Sequence, residues 1–293
     1  SEFHDPMVDC KNCKARFRAD HIDLEKNCPT CGVKEWTDAR QFNLMLKTHY
    51  GPSEDSSSVV YLRPETAQGI FVNFANAVTT SRAKLPFGIA QIGKAFRNEI
   101  TTGNFLFRSR EFEQMEMEFF VKPDETSEWL EYWSNARLDW YKSLGVTEKK
   151  LKLRLHEDNE LAHYAAACFD VEYEFPFGWS ELEGIADRGS YDLDQHAQHS
   201  GKKLTWFDSK INEHITPAVV EASAGVDRTV LTILVDAYHE EEVKGEQRVV
   251  LKLNPKVAPI TVAVFPLVNR DGMPEIAEKI MDNLKGDFAA FFD

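Results

Sequence analysis

The sequence predicts a mixed α+β fold with the opening of a second, α/β unit near its C-terminal end, on three observations. Between Phe42 and about Arg248, stretches of alternating apolar residues are interleaved with stretches at helical spacing. The stretch from Lys94 to Phe120 reads as two strands joined across Gly103-Asn104, a hairpin and so an antiparallel pair. Beyond Pro255 and Pro259 the order becomes strand, turn, helix, strand, which opens a βαβ unit. With 293 residues, 43% of them hydrophobic, the chain can bury the core of one large domain or two smaller ones. The expected division is 1–40, 41–254 and 255–293.

Residues 1–40 are polar and carry Cys10-x-x-Cys13 and Cys28-x-x-Cys31, two pairs separated by 14 residues. Each pair can form a tight turn presenting both sulfurs to one ion, and a tetrahedral zinc site needs two such turns. Two disulfides in a secreted protein would use the same residues, although nothing else in the sequence suggests secretion. Cys168, alone in "HYAAACFD", reads as a small buried core residue. Residues 66–85 have apolar residues at helical spacing, and "LPFGIAQIGKAFRNEI" follows as a strand punctuated at its start by Pro86 and Gly88. Residues 124–146 form an amphipathic helix, with Thr126 or Ser127 as N-cap and Gly145 just past its end. "DRTVLTILVDAYHEEEV" (227–243) reads as another helix, apolar along one face. Residues 260–268 have strand length, "EIAEKIMDNL" is helical and "DFAAFFD" begins the next strand. No internal repeat is present, and only "SEDSSS" (53–58) resembles low complexity.

No apolar run approaches the roughly 20 residues needed to cross a bilayer, and no basic-then-apolar leader opens the chain, so a soluble, cytoplasmic protein with no membrane partner is expected. The formal net charge of −14 argues against coating nucleic acid by bulk electrostatics, but not against meeting it at a local basic patch.

The hairpin raises the functional question, because it sets five acidic and four basic residues among apolar ones. In its first strand Phe96, Asn98 and Ile100 share one face, and Arg97 and Glu99 the other. In its second, Met115, Met117 and Phe119 oppose Phe112, Gln114, Glu116 and Glu118. An ordinary wet sheet face explains part of this pattern, but a carboxylate row beside an aromatic ring and an arginine is less usual. Three other stretches repeat the theme. "YLRPETAQG" places Glu65 at a helix start after a Pro-stiffened turn. "FGWSELEGIADRG" puts Glu181 and Glu183 among Trp, Gly and apolar residues, a costly place for charge that binds nothing. "VVEASAGVDRTVL" brings Glu221 out of an apolar strand and Arg228 to a helix start.

These stretches carry a family resemblance. "FRNE", a loop and "FRSREFEQME" resemble motif 2 of class II aminoacyl-tRNA synthetases, and "GVDR" opening an apolar helix resembles motif 3. "RPETAQGIFVNF", "REFEQMEMEFF", "GWSELEGIADR" and "EASAGVDR", in this order, are similar to the dimeric type of glycyl-tRNA synthetase, and the likeness runs from "DPMVDCKNCKARFRADH" to "KVAPITVAVFPL". The resemblance implies a class II catalytic domain, with an antiparallel sheet flanked by helices and both substrates on its open face, followed by part of an anticodon-binding α/β domain. It implies a ligase of protein biosynthesis that joins glycine and ATP into glycyl-adenylate, releases pyrophosphate and passes the glycyl group to tRNA(Gly).

Under that resemblance Arg97 serves the α-phosphate and Arg228 the γ-phosphate end, the two catalytic candidates, since charge gathers on phosphate in the transition state. Arg108 and Arg110 hold the triphosphate bent, Phe112 stacks on adenine, and Glu99 with nearby backbone reads the exocyclic amine. Glu181, with Leu182 beside it, matches the position for ATP and Mg2+. Asn98, Phe107, Ser109, Glu111, Gly225, Val226 and Asp227 complete the matched nucleotide-binding positions. Glycine offers an ammonium, a carboxylate and no side chain. Glu65, Glu116, Glu221 and Ser223 match glycine-binding positions and suit the ammonium, while Arg18 could complement the carboxylate. Phe112, Glu113, Gln114, Met115, Ala222, Ala224 and Gly225 lie in the same matched blocks. A wall that clashes with an added methyl can exclude alanine by more than the ~1–3 kcal/mol of a missing methylene.

The pattern departs from the family at four points. Motif 1, which carries the dimer interface, has no counterpart before "DPMVDC"; the stretch between "RADH" and "CPTCG" is short; the C-terminal domain stops after its first strand and helix; and Ala222 stands where the family usually has Pro. A chain lacking the motif 1 region and most of the anticodon-binding domain is therefore expected, with a homodimer following if motif 1 belongs to the full protein. Two other classes compete. A non-catalytic zinc- and RNA-binding module would be expected to have lost its ATP residues, which are all present here. An enzyme forming adenylates or dinucleotide polyphosphates without charging tRNA would keep the same residues and stays open.

Overall fold

The computed structural model describes residues 3–157, 161–162 and 165–292. Strands β1 (His4–Asp9), β2 (Arg16–Arg18) and β3 (Arg40–Asn43) form a small antiparallel sheet in the order β2-β1-β3. The cysteine turns hang from it. β4 (Lys47–His49) and β5 (Val59–Tyr61) pair as a short hairpin, and the chain then turns through Pro64 into α1 (Ala67–Ser81), which Arg82 ends in a left-handed conformation.

A six-stranded sheet follows, built from β6 (Phe87–Phe96), β7 (Glu111–Val121), β8 (Leu151–Leu155), β9 (Ala167–Phe175), β10 (Gly178–Gly189) and β13 (Ala218–Gly225). Its order is β6-β7-β13-β10-β9-β8, and every adjacent pair is antiparallel. α2 (Thr126–Ser143) joins β7 to β8, and α3 (Tyr191–Ser200) follows β10. β11 (Trp206–Asp208) and β12 (Glu213–Ile215) form a small hairpin before β13, and α4 (Val226–Ala237) leaves β13 directly.

The period-two alternation of β7 and β13 divides the sheet into two faces. Met117, Phe119, Val220 and Ala222 face a core shared with Leu130 and Trp133 of α2 and Leu231 of α4. Phe120 and Val219 face the other way, into a cluster with Ile70, Phe71 and Phe74 of α1 and Leu193 of α3. α1 and α3 cover only one end of that second face. Its remainder carries Gln114, Glu116, Glu221 and Ser223, and there the cavities lie.

The expected elements are met with four corrections. Thr126 and Ser127 are not the N-cap of α2: Glu125 holds that place and no side chain caps the helix. Residues 227–243 are not one helix, because α4 ends at Ala237 and β14 (Tyr238–Val243) pairs with β15 (Glu246–Leu251). The turn between them, Lys244-Gly245, has positive φ at both positions, as a tight two-residue hairpin requires. The first strand of the charged hairpin stops at Phe96, so strict alternation does not extend through Arg97 to Ile100. There Arg97 still pairs with the Arg110 carbonyl, while Asn98 turns to that of Leu44. Cys168 is half-buried and lines a cavity instead of filling the core.

At the C-terminal end, β16 (Val262–Val264), α5 (Met273–Leu284) and β17 (Ala290–Phe292) form the expected βαβ unit, with β16 and β17 parallel. No helix among the described residues is long and apolar enough to cross a membrane.

Candidate active site

Two cavities meet on the open face of the sheet. The larger, a cleft of about 360 Å3, is bordered by Arg97, Glu99, Phe107, Arg108, Ser109, Phe112, Asp227 and Arg228, with Arg18 and Asp5 at its outer side. The smaller, about 210 Å3, is bordered by Glu65, Glu116, Asp170, Gly184, Glu221 and Cys168. Arg97, Glu181 and Ser223 border both.

In the cleft the arginines are aimed mainly by main-chain oxygens. Arg97 Nε donates to the Pro64 carbonyl at 3.0 Å, and the guanidinium lies over the Phe112 ring at 5.6 Å. Arg228 sits in the first turn of α4, donates to the Glu181 carbonyl at 2.8 Å and stacks over Phe107 at 4.2 Å. Its distance to the Glu181 carboxylate is 3.7 Å. Arg108 reaches Glu99 at 3.4 Å. Asp227 accepts the Glu113 N–H at 2.8 Å and so ties the start of α4 to β7. The result is a row of cations beside an aromatic ring, suited to a polyanion with a flat base.

The pocket has the opposite character. Glu116 is buried, and its two oxygens accept from the Thr66 N–H at 2.8 Å, the Thr66 hydroxyl, Gln114 at 2.6 Å and the Ser223 hydroxyl at 2.9 Å. Its lone pairs are thereby spent on fixing the start of α1 against β7 and β13. Glu221 is buried and accepts from Arg188 at 2.6 Å. Burial pushes its carboxyl up to about 7 despite the guanidinium beside it. Glu65 is also buried, bonds Gln68 at 2.8 Å, and burial raises it above the usual carboxylate range although Arg188 opposes the rise.

Arg188 is only 2% exposed and grips Asp192 with Nε and Nη2, at 2.7 and 3.0 Å, while Nη1 holds Glu221. Burial works against its charge, and Glu221 and Asp192 more than restore it. Arg188, Thr66 and Asp192 belong to the network that fixes the pocket's carboxylates, and motif reasoning missed them. The one sequence signal was an arginine inside an otherwise buried strand, "EGIADRG", which must find carboxylates to be there at all.

The structure sorts the sequence-matched positions. Arg97, Glu99, Phe107, Arg108, Ser109, Phe112, Glu181, Gly225, Asp227 and Arg228 converge on the cleft, and Glu65, Glu116, Glu221 and Ser223 on the pocket. Arg18 borders the cleft, paired with Asp5 at 2.9 Å and with Asp20, and does not border the pocket. Arg110 is exposed and holds the Glu99 carbonyl from outside. Glu111 pairs with Lys94 on the surface. Leu182 and Ala222 turn into the α2 core, and Met115 and Ala224 share that side of β7 and β13. Asn98, Glu113, Val226 and these four border neither cavity. Glu183, singled out with Glu181, is instead bound at 2.6 and 3.1 Å by Arg137 of α2.

A β-bulge explains that division. Leu182 is an extra residue in β10 against β9, since Glu181 opposes Glu172 while Glu183 opposes Val171. The shift lets Glu181 face the cavities together with Gly184 and Ala186.

Away from the cavities, the four N-terminal cysteines are free thiols with Sγ atoms within 4.8 Å of one another. Cys10–Cys31 and Cys13–Cys28 lie at 3.6 and 3.7 Å, far beyond a disulfide and close to the ~3.8 Å edge of a tetrahedron with Zn–S bonds of about 2.3 Å. Each turn closes on a left-handed residue directly after its second cysteine, Lys14 and Gly32. The donor set fits zinc. A second cluster, His156, Cys168 and Asp170, is committed differently: Asp170 is bound by Arg154 at 3.0 Å and lies 2.8 Å from His156.

Comparison with known proteins agrees with this geometry. Residues 50–237 match the family described as tRNA synthetase class II core domain (G, H, P, S and T). The chain is 56% identical over 296 residues to a glycine–tRNA ligase of Borreliella burgdorferi (strain ZS7), covering 99% of this chain and 66% of that protein. It is 54% identical over 301 residues to the glycine–tRNA ligase of Treponema denticola, again covering 99% of the chain and 66% of the relative. The glycine–tRNA ligase of Caldanaerobacter subterraneus subsp. tengcongensis is 52% identical over 320 residues, covering the whole chain and 69% of the relative. The chain thus spans about two thirds of the length of these relatives.

Proposed function

The chain belongs to the class II tRNA synthetase family, in its glycine–tRNA ligase branch, and from that premise we propose that it activates glycine with ATP and transfers the glycyl group to tRNA(Gly). The observation that carries the reading is the meeting of a cationic cleft and an anionic pocket at Arg97, Glu181 and Ser223. A reaction that joins a small zwitterion to an α-phosphate needs such a boundary. The ammonium rests among Glu65, Glu221 and the Glu116 network, the triphosphate lies along Arg108 and Arg228, and the attacked phosphorus falls beside Arg97. The base stacks on Phe112. Glu181 is the residue to hold Mg2+, which supplies charge neutralisation on the phosphates. Catalysis in this arrangement is positioning and electrostatics, with no covalent bond to the enzyme.

The pocket selects glycine by shape and charge. Its walls come from residues fixed at both ends: Glu116 by four hydrogen bonds and Glu221 by Arg188. A methyl on the α-carbon has to displace one of them.

Glycine-dependent exchange of labelled pyrophosphate into ATP, with alanine and serine as controls, tests the activation step, and charging of tRNA(Gly) tests the transfer. Exchange with alanine equal to that with glycine would sink the selectivity argument. The cysteine cluster is proposed to hold one structural Zn2+. Cys10→Ser should release one equivalent of metal, and a wild-type chain purified without chelators but free of metal refutes the site. Dimerisation and a cytoplasmic location belong to the same reading, and sedimentation of the chain at several concentrations tests the first.

A further inference from the structure

The row of acids on β7 contains one that the site as described does not use. Glu118 is fully buried, and neither of its oxygens has a hydrogen-bond partner among the described residues. On β13 it lies directly opposite Glu221, which places both side chains on the pocket face with Cβ atoms about 5 Å apart. On β6 its cross-strand neighbour is Ile89, and the next residue along its own face, Phe120, belongs to the apolar cluster under α1. The charged groups turned toward it are Glu116 on β7, Glu221 on β13 and Arg188 on β10. Glu65 before α1 and Asp192 of α3 are held by Gln68 and by Arg188 itself.

The two opposed carboxyls have unequal surroundings. Glu221 has a guanidinium at 2.6 Å, whereas Glu118 has apolar neighbours and no donor in bonding position. Two carboxylates this close in a dry setting do not both ionise at neutral pH, and the proton stays with the one that lacks the cation. Burial, then the charge of Glu221, hold Glu118 well above the usual carboxylate range.

Building on the reading of the pocket as the glycine site, we propose that Glu118 is a neutral carboxylic acid and a positioning residue, whose O–H donates to Glu221 and keeps that carboxylate charged and aimed at the substrate ammonium. The pair then holds one proton between its two carboxyls and presents a single negative charge upward. A second carboxylate in place of the acid would repel Glu221 from below. An apolar side chain would leave Glu221 with Arg188 alone.

Infrared difference spectroscopy of the folded chain, with carbon-13 in glutamate carboxyls, reads the proton directly. The wild type should show a protonated-carboxyl carbonyl band that persists as pH is raised past the range in which Glu221 titrates, and that Glu118→Gln removes. Kinetics read the positioning role through glycine-dependent pyrophosphate exchange. Glu118→Met should raise the glycine KM roughly 10- to 100-fold, the loss expected for a hydrogen bond to a charged group, with kcat and the ATP KM close to wild type. Glu118→Gln, whose amide donates in the same direction without titrating, should restore the glycine KM. Absence of the band in the wild type, or a glutamine variant as impaired as the methionine one, overturns the proposal. The band is present or absent whether or not exchange occurs, so a failure of the functional reading is told apart from a failure of the proton assignment.

Discussion

In the cleft, Arg97 and Arg228 rest on the carbonyls of Pro64 and Glu181, whereas behind the pocket Arg188 is bound to two carboxylates. A carbonyl fixes where a guanidinium points and leaves its full positive charge for something else. A carboxylate takes that charge away. The same residue type is therefore an anion receptor on one side of Ser223 and an internal brace on the other. What distinguishes them is the partner, which lies in another strand or loop and not in the neighbouring sequence.

The largest test of this contrast is to remove the brace. Arg188→Met leaves Glu221 and Asp192 buried without their cation, which should cost about 3–5 kcal/mol of stability in urea denaturation. A loss no greater than that of an exposed arginine would mean that the three groups are not a unit. Next in size are the receptors. Arg97→Ala and Arg228→Ala should each lower glycine-dependent exchange by roughly 10²–10³-fold, as for loss of one donor to transition-state charge, with circular dichroism unchanged. Either variant retaining wild-type exchange would deny the role.

A smaller effect comes from pH. The Glu221 carboxyl titrates at about 7 in the fold against a usual 4.5. The folded state thus binds its proton more tightly than the unfolded chain does. The stability this contributes is complete below about 4.5 and is lost as pH rises through about 7. Glycine binding runs the other way, because the ammonium needs the anion. The glycine KM should fall as pH rises toward 7, by up to about tenfold per unit, and then level off. A flat profile would show that Glu221 does not meet the substrate. The smallest effect is expected at the surface ion pair of Lys94 and Glu111 on the outer edge of the hairpin. Lys94→Ala should leave exchange and unfolding midpoint within error of wild type.

Much of the site could be read from the sequence because its residues come in local runs. Period-two alternation placed Gln114, Glu116 and Glu118 on one face of β7, and the sheet obeys it. It could not say that Glu116 is a hub, that Glu118 lies beneath Glu221, or that Arg188 joins two elements. Those facts depend on the register between β7, β13 and β10, which no single strand encodes. The strand Tyr238–Val243 was hidden for a related reason. Its acidic run continues a helical pattern, and only the Lys244-Gly245 turn marks the reversal. The cysteine turns, by contrast, needed no partner from elsewhere, and their spacing alone brought all four sulfurs together.

The extra residue in β10 bears on how this protein can change. Glu181 reaches the cleft and Gly184 the pocket because Leu182 breaks the alternation between them. Removing Leu182 would restore a regular strand and leave Glu181 and Gly184 on the same face, because Leu182 is the residue that the β9 ladder leaves unpaired. Leu182 is thus a position where this strand can shorten without turning Glu181 away, whereas a residue added between Gly184 and Asp187 would turn it toward the α2 core. The stretch from Gly184 to Asp187, which has no extra residue, should therefore tolerate changes of composition better than changes of length.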